Sequence, residues 1–315
     1  MVDYLEEIVG QETAKRFVKT ALKKGSLYNF LLTGPKGVGK RIFGFALAKT
    51  LGCPLSSSNF MLLGPIPAKL KEKDDKIHEY SKKYRPEFAV VKVEDRESIL
   101  IEQIRNLIGR LVHMPAEGKK RVVLIIEADK MTDAAANCFL KTLEEPPLDT
   151  VFILTSSRPN YLLPTIRSRC QIVPFTYLTD KQVSSILFDT KDEFLLGSPG
   201  ELMNLRENEL FARVVAVFKE APLDAATAAA RAREFERKNL ADFLYQLLLL
   251  YRLVLYSKLN IKVESSCEVV VTEKAKAVNL EETLKTALLL NKNINSLEQN
   301  PNRLLLLFNT LIRLP

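Results

Sequence analysis

Between Tyr28 and Arg41 the chain reads Tyr-Asn-Phe-Leu-Leu-Thr-Gly-Pro-Lys-Gly-Val-Gly-Lys-Arg, an apolar run feeding a glycine-rich turn. Glycines at 34, 37 and 39 let successive backbone amides converge on phosphate oxygens, and Lys40 adds a point charge where terminal phosphates would lie. Gly34, Pro35, Lys36, Gly37, Val38, Gly39, Lys40 and Arg41 are therefore the candidate phosphate-binding residues. The pattern G-x-x-x-x-G-K-[ST] ends in a hydroxyl that ligates Mg²⁺, but Arg41 stands there and cannot ligate a cation. Lys40 and Arg41 both lie at the positive end of the helix that follows, so the loop is expected to take sulfate, phosphate or a nucleotide such as ATP or ADP.

A hydrolysing loop of this kind needs an acidic cluster at the end of a neighbouring strand, with an Asp for the Mg²⁺ shell and a Glu to orient water. Ile125-Ile126-Glu127-Ala128-Asp129 is the nearest candidate. Ile126 occupies the place of the metal-binding Asp, Glu127 keeps that of the catalytic Glu, and Asp129 comes two residues late, as a loop or helix N-terminal charge. Both Mg²⁺ anchors are missing, which points to a degenerate, vestigial site.

The elements that must carry these residues alternate. Apolar spacing predicts a helix from Gln11 to Lys24, a strand at Phe30 to Thr33 and a helix from Lys40 through Leu51. Cys53 to Pro67, rich in Pro, Gly and Ser, reads as an irregular surface insertion. A strand at Phe88 to Val93 and a helix bearing Ile101, Ile104, Leu107, Ile108 and Leu111 follow. Val122 to Ile126, Val151 to Leu154 and Gln171 to Val173 are short, β-branched runs of the kind buried on both faces of a parallel sheet. Strand and helix thus alternate from residue 28 to about 175, as in a doubly wound α/β domain whose ligands sit at the carboxyl ends of the strands. Beyond Phe175 a short helical piece (Leu178 to Phe188) and a turn at Gly197-Ser198-Pro199-Gly200 lead into helical periodicity, with Ala-rich and Leu-rich runs at Ala225 to Ala232, Phe243 to Leu255 and Leu304 to Leu307. That reads as a helical bundle.

With 315 residues, 47% of them hydrophobic, the chain has the make-up of a globular protein of two or three domains. Its +8 charge favours an anionic partner, but acidic residues are interleaved with the basic ones, as between Lys69 and Arg85, so a solvated surface outweighs a dedicated nucleic-acid patch. Cys53, Cys138, Cys170 and Cys267 form no C-x-x-C pair and have no His nearby, so neither a zinc site nor a disulfide framework is expected, and a reducing cytoplasm fits. The acidic start (Asp3, Glu6, Glu7) is unlike a signal peptide, and Arg252 breaks the longest apolar stretch, so no membrane segment is expected.

Met131 through Pro147, ending Leu-Glu-Glu-Pro-Pro, followed by Ser168-Arg169-Cys170, resembles the AAA+ clamp-loader subunits of DNA replication. Val9-Gly10-Gln11, the phosphate loop and Gly197-Ser198-Pro199-Gly200 add to the likeness, which is strong over residues 5 to 175. The resemblance implies an AAA+ P-loop α/β parallel-sheet domain (1–176), a short helical lid (177–207) and an all-α C-terminal collar domain (208–315). It also implies that Arg169, flanked by Ser168 and Cys170, acts in trans as an arginine finger on a neighbour's γ-phosphate. Ser156 or Ser157 would fill the polar sensor position at its strand end.

The chain departs from the family in ways that matter. Gly200 and Glu201 stand where the lid usually has its Arg, and only Cys53 lies where some relatives carry a four-cysteine zinc module, so no zinc is expected. The expectation is a scaffold with no required cofactor that hydrolyses ATP poorly or not at all, for which equilibrium binding of ATP, with and without Mg²⁺, is the most useful single observation. Its partners would be a gamma/tau-like ATPase and a delta-like subunit and, through the complex, the sliding clamp and primer-template DNA. An active gamma/tau-like ATPase relying on Lys40 and Glu127 is the alternative. A DNA-binding module unrelated to ATP, suggested by the charge alone, has little else behind it.

Overall fold

The computed structural model describes residues 3–24, 29–67, 70, 74–87, 97–112, 120–187, 197–206, 209–235, 240–261, 267–297 and 301–315. They divide into two compact units, Met1–Phe188 with Gly197–Glu201 and Asp189–Leu196 with Leu202–Pro315.

The first unit contains α1 (Glu12–Lys23), β1 (Phe30–Thr33), α2 (Lys40–Thr50), β2 (Phe60–Leu63), β3 (Ile66–Pro67), α3 (Asp74–Ser81), β4 (Glu97–Ser98) and α4 (Ile101–Leu111). It continues with β5 (Arg121–Ile125), α5 (Asp133–Glu144), β6 (Thr150–Ser156), α6 (Pro164–Ser168), β7 (Gln171–Pro174) and α7 (Asp180–Ile186), and takes in the start of α8 (Pro199–Arg206). Five strands pair in the order β2-β5-β6-β1-β7, every pairing parallel. β1, β5 and β6 are buried along their whole length. Period-2 alternation sends their side chains to opposite faces. Phe30, Leu32, Val122, Leu124, Val151 and Ile153 join the core beneath α1 and α2, whereas Leu31, Val123, Ile125, Phe152 and Leu154 join that beneath α4 and α5. This is the parallel-sheet α/β domain that the alternation of strands and helices implies.

The stretch Cys53 to Pro67 departs from the irregular insertion expected of it. Phe60–Leu63 is β2, an edge strand in register with Val122–Ile125 of β5, and Ile66–Pro67 pairs antiparallel with Glu97–Ser98. Phe-Met-Leu-Leu lacks β-branched residues and sits among Pro54, Ser56 to Ser58, Gly64 and Pro65, so turn signals mask a strand that is held by its tertiary partner. The strand expected at 88–93 lies outside the described residues.

Among its described residues the elements of the second unit are all helices: the rest of α8, then α9 (Glu209–Glu220), α10 (Ala225–Phe235), α11 (Leu240–Lys258), α12 (Glu268–Ala277), α13 (Leu280–Ser296) and α14 (Arg303–Leu311). α11 is its axis. Phe218 and Tyr251 meet edge-to-face at 5.1 Å and Phe235 stacks on Phe243 at 4.2 Å. By length and composition α11 could cross a membrane, yet most of it is buried inside the unit, as in a core helix. On α13, Leu280, Leu284 and Leu288 recur every fourth residue and are all exposed.

Candidate functional site

The phosphate loop follows the carboxyl end of β1, in the place a parallel sheet gives its ligands. Five consecutive carbonyls of the loop are hydrogen-bonded by the protein itself. The Lys40 ammonium donates to the Gly34 and Pro35 oxygens, Ser198 Oγ to Lys36 O at 2.6 Å, the Gly200 amide to Gly37 O at 3.0 Å, and Gln11 Nε2 to Val38 O at 3.4 Å. Gly39 opens α2 from the left-handed region and offers no side-chain cap. The carbonyl side of the loop is thus engaged by protein, while the first-turn amides of α2 have no side-chain cap, the groups through which a helix N-terminus holds an anion.

Lys40 is buried, and burial lowers its pKa to about 8, against the pull of Glu127, Asp129 and Glu201. Besides the two carbonyls, its ammonium donates to Ser157 Oγ at 3.0 Å. Of the two serines at the end of β6, it is therefore Ser157 that faces the loop. Ser156 is fully buried and accepts instead from the Arg158 amide at 3.1 Å. Glu127 follows β5 with a φ of 48°, its amide donating to Thr155 Oγ1 at 3.0 Å, and burial pushes its carboxyl above the usual range. Asp129 pairs with Arg158 at 3.3 Å, which makes it a loop charge with a partner of its own.

Neither position that the motif reserves for Mg²⁺ can serve it. Arg41 is engaged with the backbone: its Nη1 donates to Tyr84 O at 2.9 Å and Arg85 O at 2.7 Å, so the side chain pins the segment after α3. Burial lowers its pKa to about 10, which leaves it charged at neutral pH. Of the two cations expected at the start of α2, Lys40 turns onto the loop carbonyls and Ser157, whereas Arg41 turns onto Tyr84 and Arg85. Ile126 is 4% exposed and belongs to the apolar core. A phosphate-bridging metal would have no holder at these two positions. Among the described residues no three His, Cys, Asp or Glu side chains gather to bind a metal.

The turn Gly197-Ser198-Pro199-Gly200 rests directly on the loop. A Cβ on Gly200 would come within 2.9 Å of the Gly37 Cα, and one on Gly37 within 2.4 Å of Ser198 Oγ. Glycine at 200, where the lid Arg of the family would stand, is what permits this approach.

Arg169 lies elsewhere. β1 and β7 run parallel with Phe30 opposite Gln171 and Thr33 opposite Pro174, so Arg169 precedes the amino end of β7 while the phosphate loop follows the carboxyl end of β1. Four residues at ~3.3 Å each separate the two levels by roughly 13 Å. The Arg169 side chain is 31% exposed, and its guanidinium donates from Nη1 to Thr165 O at 2.9 Å and from Nη2 to Glu144. Ser168 Oγ turns back to Thr165 O at 3.0 Å. Cys170 packs against the core, and burial pushes its thiol up to about 12, so it serves as packing. Glu144 and Asn29 had no sequence-level role. Asn29 Nδ2 donates to Leu143 O at 2.9 Å and Arg169 O at 3.2 Å, tying the end of α5 to the start of β7. Only the run Glu144-Glu145-Pro146-Pro147 hinted at Glu144, since it ends a helix with a carboxylate.

A sequence model of the family described as DNA polymerase III, delta subunit, matches residues 10–179. DNA polymerase III subunit delta-prime of Pseudomonas aeruginosa is 37% identical over 142 residues, which are 45% of this chain and 40% of that protein. DNA polymerase III subunit gamma/tau of Mycobacterium tuberculosis is 30% identical over 191 residues, 58% of this chain and 30% of that protein. The chain therefore spans less than half the length of these curated relatives. A DNA polymerase III gamma subunit-related protein of Thermotoga maritima, solved as a crystal structure, is 20% identical over 95% of this chain and 97% of that one, with a TM-score of 0.47.

Proposed function

This chain belongs to the family described as DNA polymerase III, delta subunit, and on that footing we propose that it is a delta-prime-like clamp-loader subunit that does not itself hydrolyse ATP. It scaffolds a cytoplasmic pentamer beside a gamma/tau-like ATPase and a delta-like subunit. Arg169 acts in trans on the nucleotide of a neighbour while the complex loads the sliding clamp onto primed DNA.

The observation that carries this reading is the place of Arg169, at the opposite end of the sheet from the chain's own phosphate loop. A guanidinium there can reach phosphate only on another molecule. Non-hydrolysis is supported by Arg41, which is turned onto the carbonyls of Tyr84 and Arg85, and by Ile126 in the core. The exposed leucines of α13 support a collar contact, since an apolar stripe at helical spacing on a surface suits another helix. The alternative, an active gamma/tau-like ATPase, draws on Lys40 and Glu127 and on the identity to the gamma/tau relative, but leaves the metal without its two holders.

Two assays test the reading. The purified chain should hydrolyse ATP no faster than its Lys40→Ala variant, and clear Mg²⁺-dependent turnover would overturn the scaffold role. In the reconstituted complex Arg169→Ala should lower ATP hydrolysis without changing assembly.

A further inference from the structure

Arg169 is not simply a surface cation next to a strand; it sits in a seat built by three other residues, Asn29, Glu144 and Thr165. Asn29, just before β1, donates its side-chain amide to the carbonyls of both Leu143 and Arg169, and its own carbonyl accepts from the Gln171 amide at 2.6 Å. One side chain thereby fixes the backbone of Arg169 against the last turn of α5. Glu144 ends that helix and takes Nη2 of the guanidinium, while Thr165 O, in α6, takes Nη1. The planar guanidinium is held at two corners by groups on two different helices.

Helix stability does not explain Glu144. A carboxylate in the last turn faces the negative end of the helix dipole, where a cation is the favoured residue. Pro146 and Pro147 stop the helix within two residues, so this unfavourable charge is also kept at a fixed place. Its pairing with Arg169 is the contact that accounts for it.

We propose that Glu144 is a positioning residue for Arg169, holding its guanidinium oriented at the surface so that an anionic phosphate presented by an adjacent subunit meets it already in place. The inference rests on the trans role proposed for Arg169 and adds the residue through which that role is organised. Arginine has many rotamers to lose on meeting a phosphate, and a planar fork fixed beforehand loses fewer of them at the moment of reaction. Glu144 touches no substrate; it acts through Arg169 alone.

Steady-state ATP hydrolysis by the complex reconstituted from the full chain and its clamp-loader partners tests this, with Glu144→Ala, the isosteric Glu144→Gln, Glu144→Asp, Arg169→Ala and the double variant Glu144→Ala/Arg169→Ala. An exposed ion pair sets the scale, so Glu144→Ala and Glu144→Gln should lower kcat roughly two- to fivefold. KM for ATP and assembly should stay unchanged, Glu144→Asp should recover part of the rate, and the double variant should be no slower than Arg169→Ala. In the isolated chain, ¹⁵N relaxation of Arg169 Nε should show a more mobile side chain once Glu144 is Gln.

Wild-type rates for the Glu144 variants beside a slowed Arg169→Ala would overturn the positioning role and leave the trans role standing. A rate increase would mean that the carboxylate competes with the phosphate, and additive losses in the double variant would mean that Glu144 acts elsewhere; either overturns the proposal. Unchanged relaxation of Arg169 would do the same without any partner present. An unaffected Arg169→Ala complex would remove the trans role and the positioning role with it.

Discussion

The Lys40 ammonium and the Ser157 hydroxyl stand 3.0 Å apart, joining the phosphate loop to the end of β6 across more than a hundred residues of sequence. The contact places the Lys40 charge beside a polar group at the carboxyl edge of the sheet, where it is largely cut off from water.

That burial makes anion binding pH-dependent. Lys40 attracts phosphate only while protonated, and its pKa is lowered to about 8 from an ordinary 10.5. Affinity of the isolated chain for sulfate, whose own charge does not change in this range, should be flat below pH 7 and fall up to about tenfold per unit above 8. Stability should move the other way. Between 8 and 10.5 the unfolded chain holds a proton that the folded chain has released, so the Lys40 contribution to folding becomes more favourable as pH rises through that window. Calorimetric titration and urea melts from pH 7 to 10 measure both trends, and Lys40→Met should flatten both.

Replacing Arg41 by Thr restores the hydroxyl of the motif but removes two charge-assisted hydrogen bonds from the carbonyls of Tyr84 and Arg85. We expect a loss of about 1–3 kcal/mol in urea unfolding and still no ATP turnover, because Ile126 remains in the core. Mg²⁺-dependent hydrolysis by Arg41→Thr alone would contradict this.

Gly37 and Gly39 both have positive φ, at 74° and 95°, but only one of them is crowded. A Cβ at 37 meets Ser198 Oγ at 2.4 Å and the Glu201 amide nitrogen at 2.7 Å; at 39 nothing lies within 4 Å. Gly37→Ala should therefore be the more destabilising by about 1–2 kcal/mol, and both should carry the backbone strain of that φ. Hydrogen exchange at 36–38 should quicken in Gly37→Ala, as the turn at 197–200 lifts from the loop. Equal melting temperatures for the two variants would refute the contact.

Leu284→Lys and Leu288→Lys change exposed positions, so the melting of the isolated chain should shift by no more than about 0.5 kcal/mol. On the collar contact proposed for α13, assembly with a gamma/tau-like and a delta-like subunit, followed by size-exclusion chromatography, should weaken.

Much of the α/β unit was legible because its strands are buried on both faces and must be apolar throughout: Phe30 to Thr33, Val122 to Ile125 and Val151 to Leu154 carry that signature in sequence. Phe60 to Leu63 does not, for its strand character comes from β5 and not from its own residues. At the site, glycine spacing exposed the loop, yet the choice between Ser156 and Ser157 needed the facing direction at the end of β6. The destination of Arg41 was not legible either. Its partners lie 43 and 44 residues on, in a segment whose own sequence says nothing about carbonyls presented to a guanidinium. Glu144 was visible as part of a motif, but its role depends on Asn29 and Thr165, which only the fold brings together.

The order β2-β5-β6-β1-β7 also sets a timetable for synthesis. β1 pairs only with β6 and β7, so Phe30 to Thr33 leaves the ribosome long before either partner exists. At about 5–20 residues per second that wait is on the order of 6 to 25 s. Through it the nascent chain carries an apolar strand with both edges open, the situation in which chaperones are engaged and aggregation competes with folding.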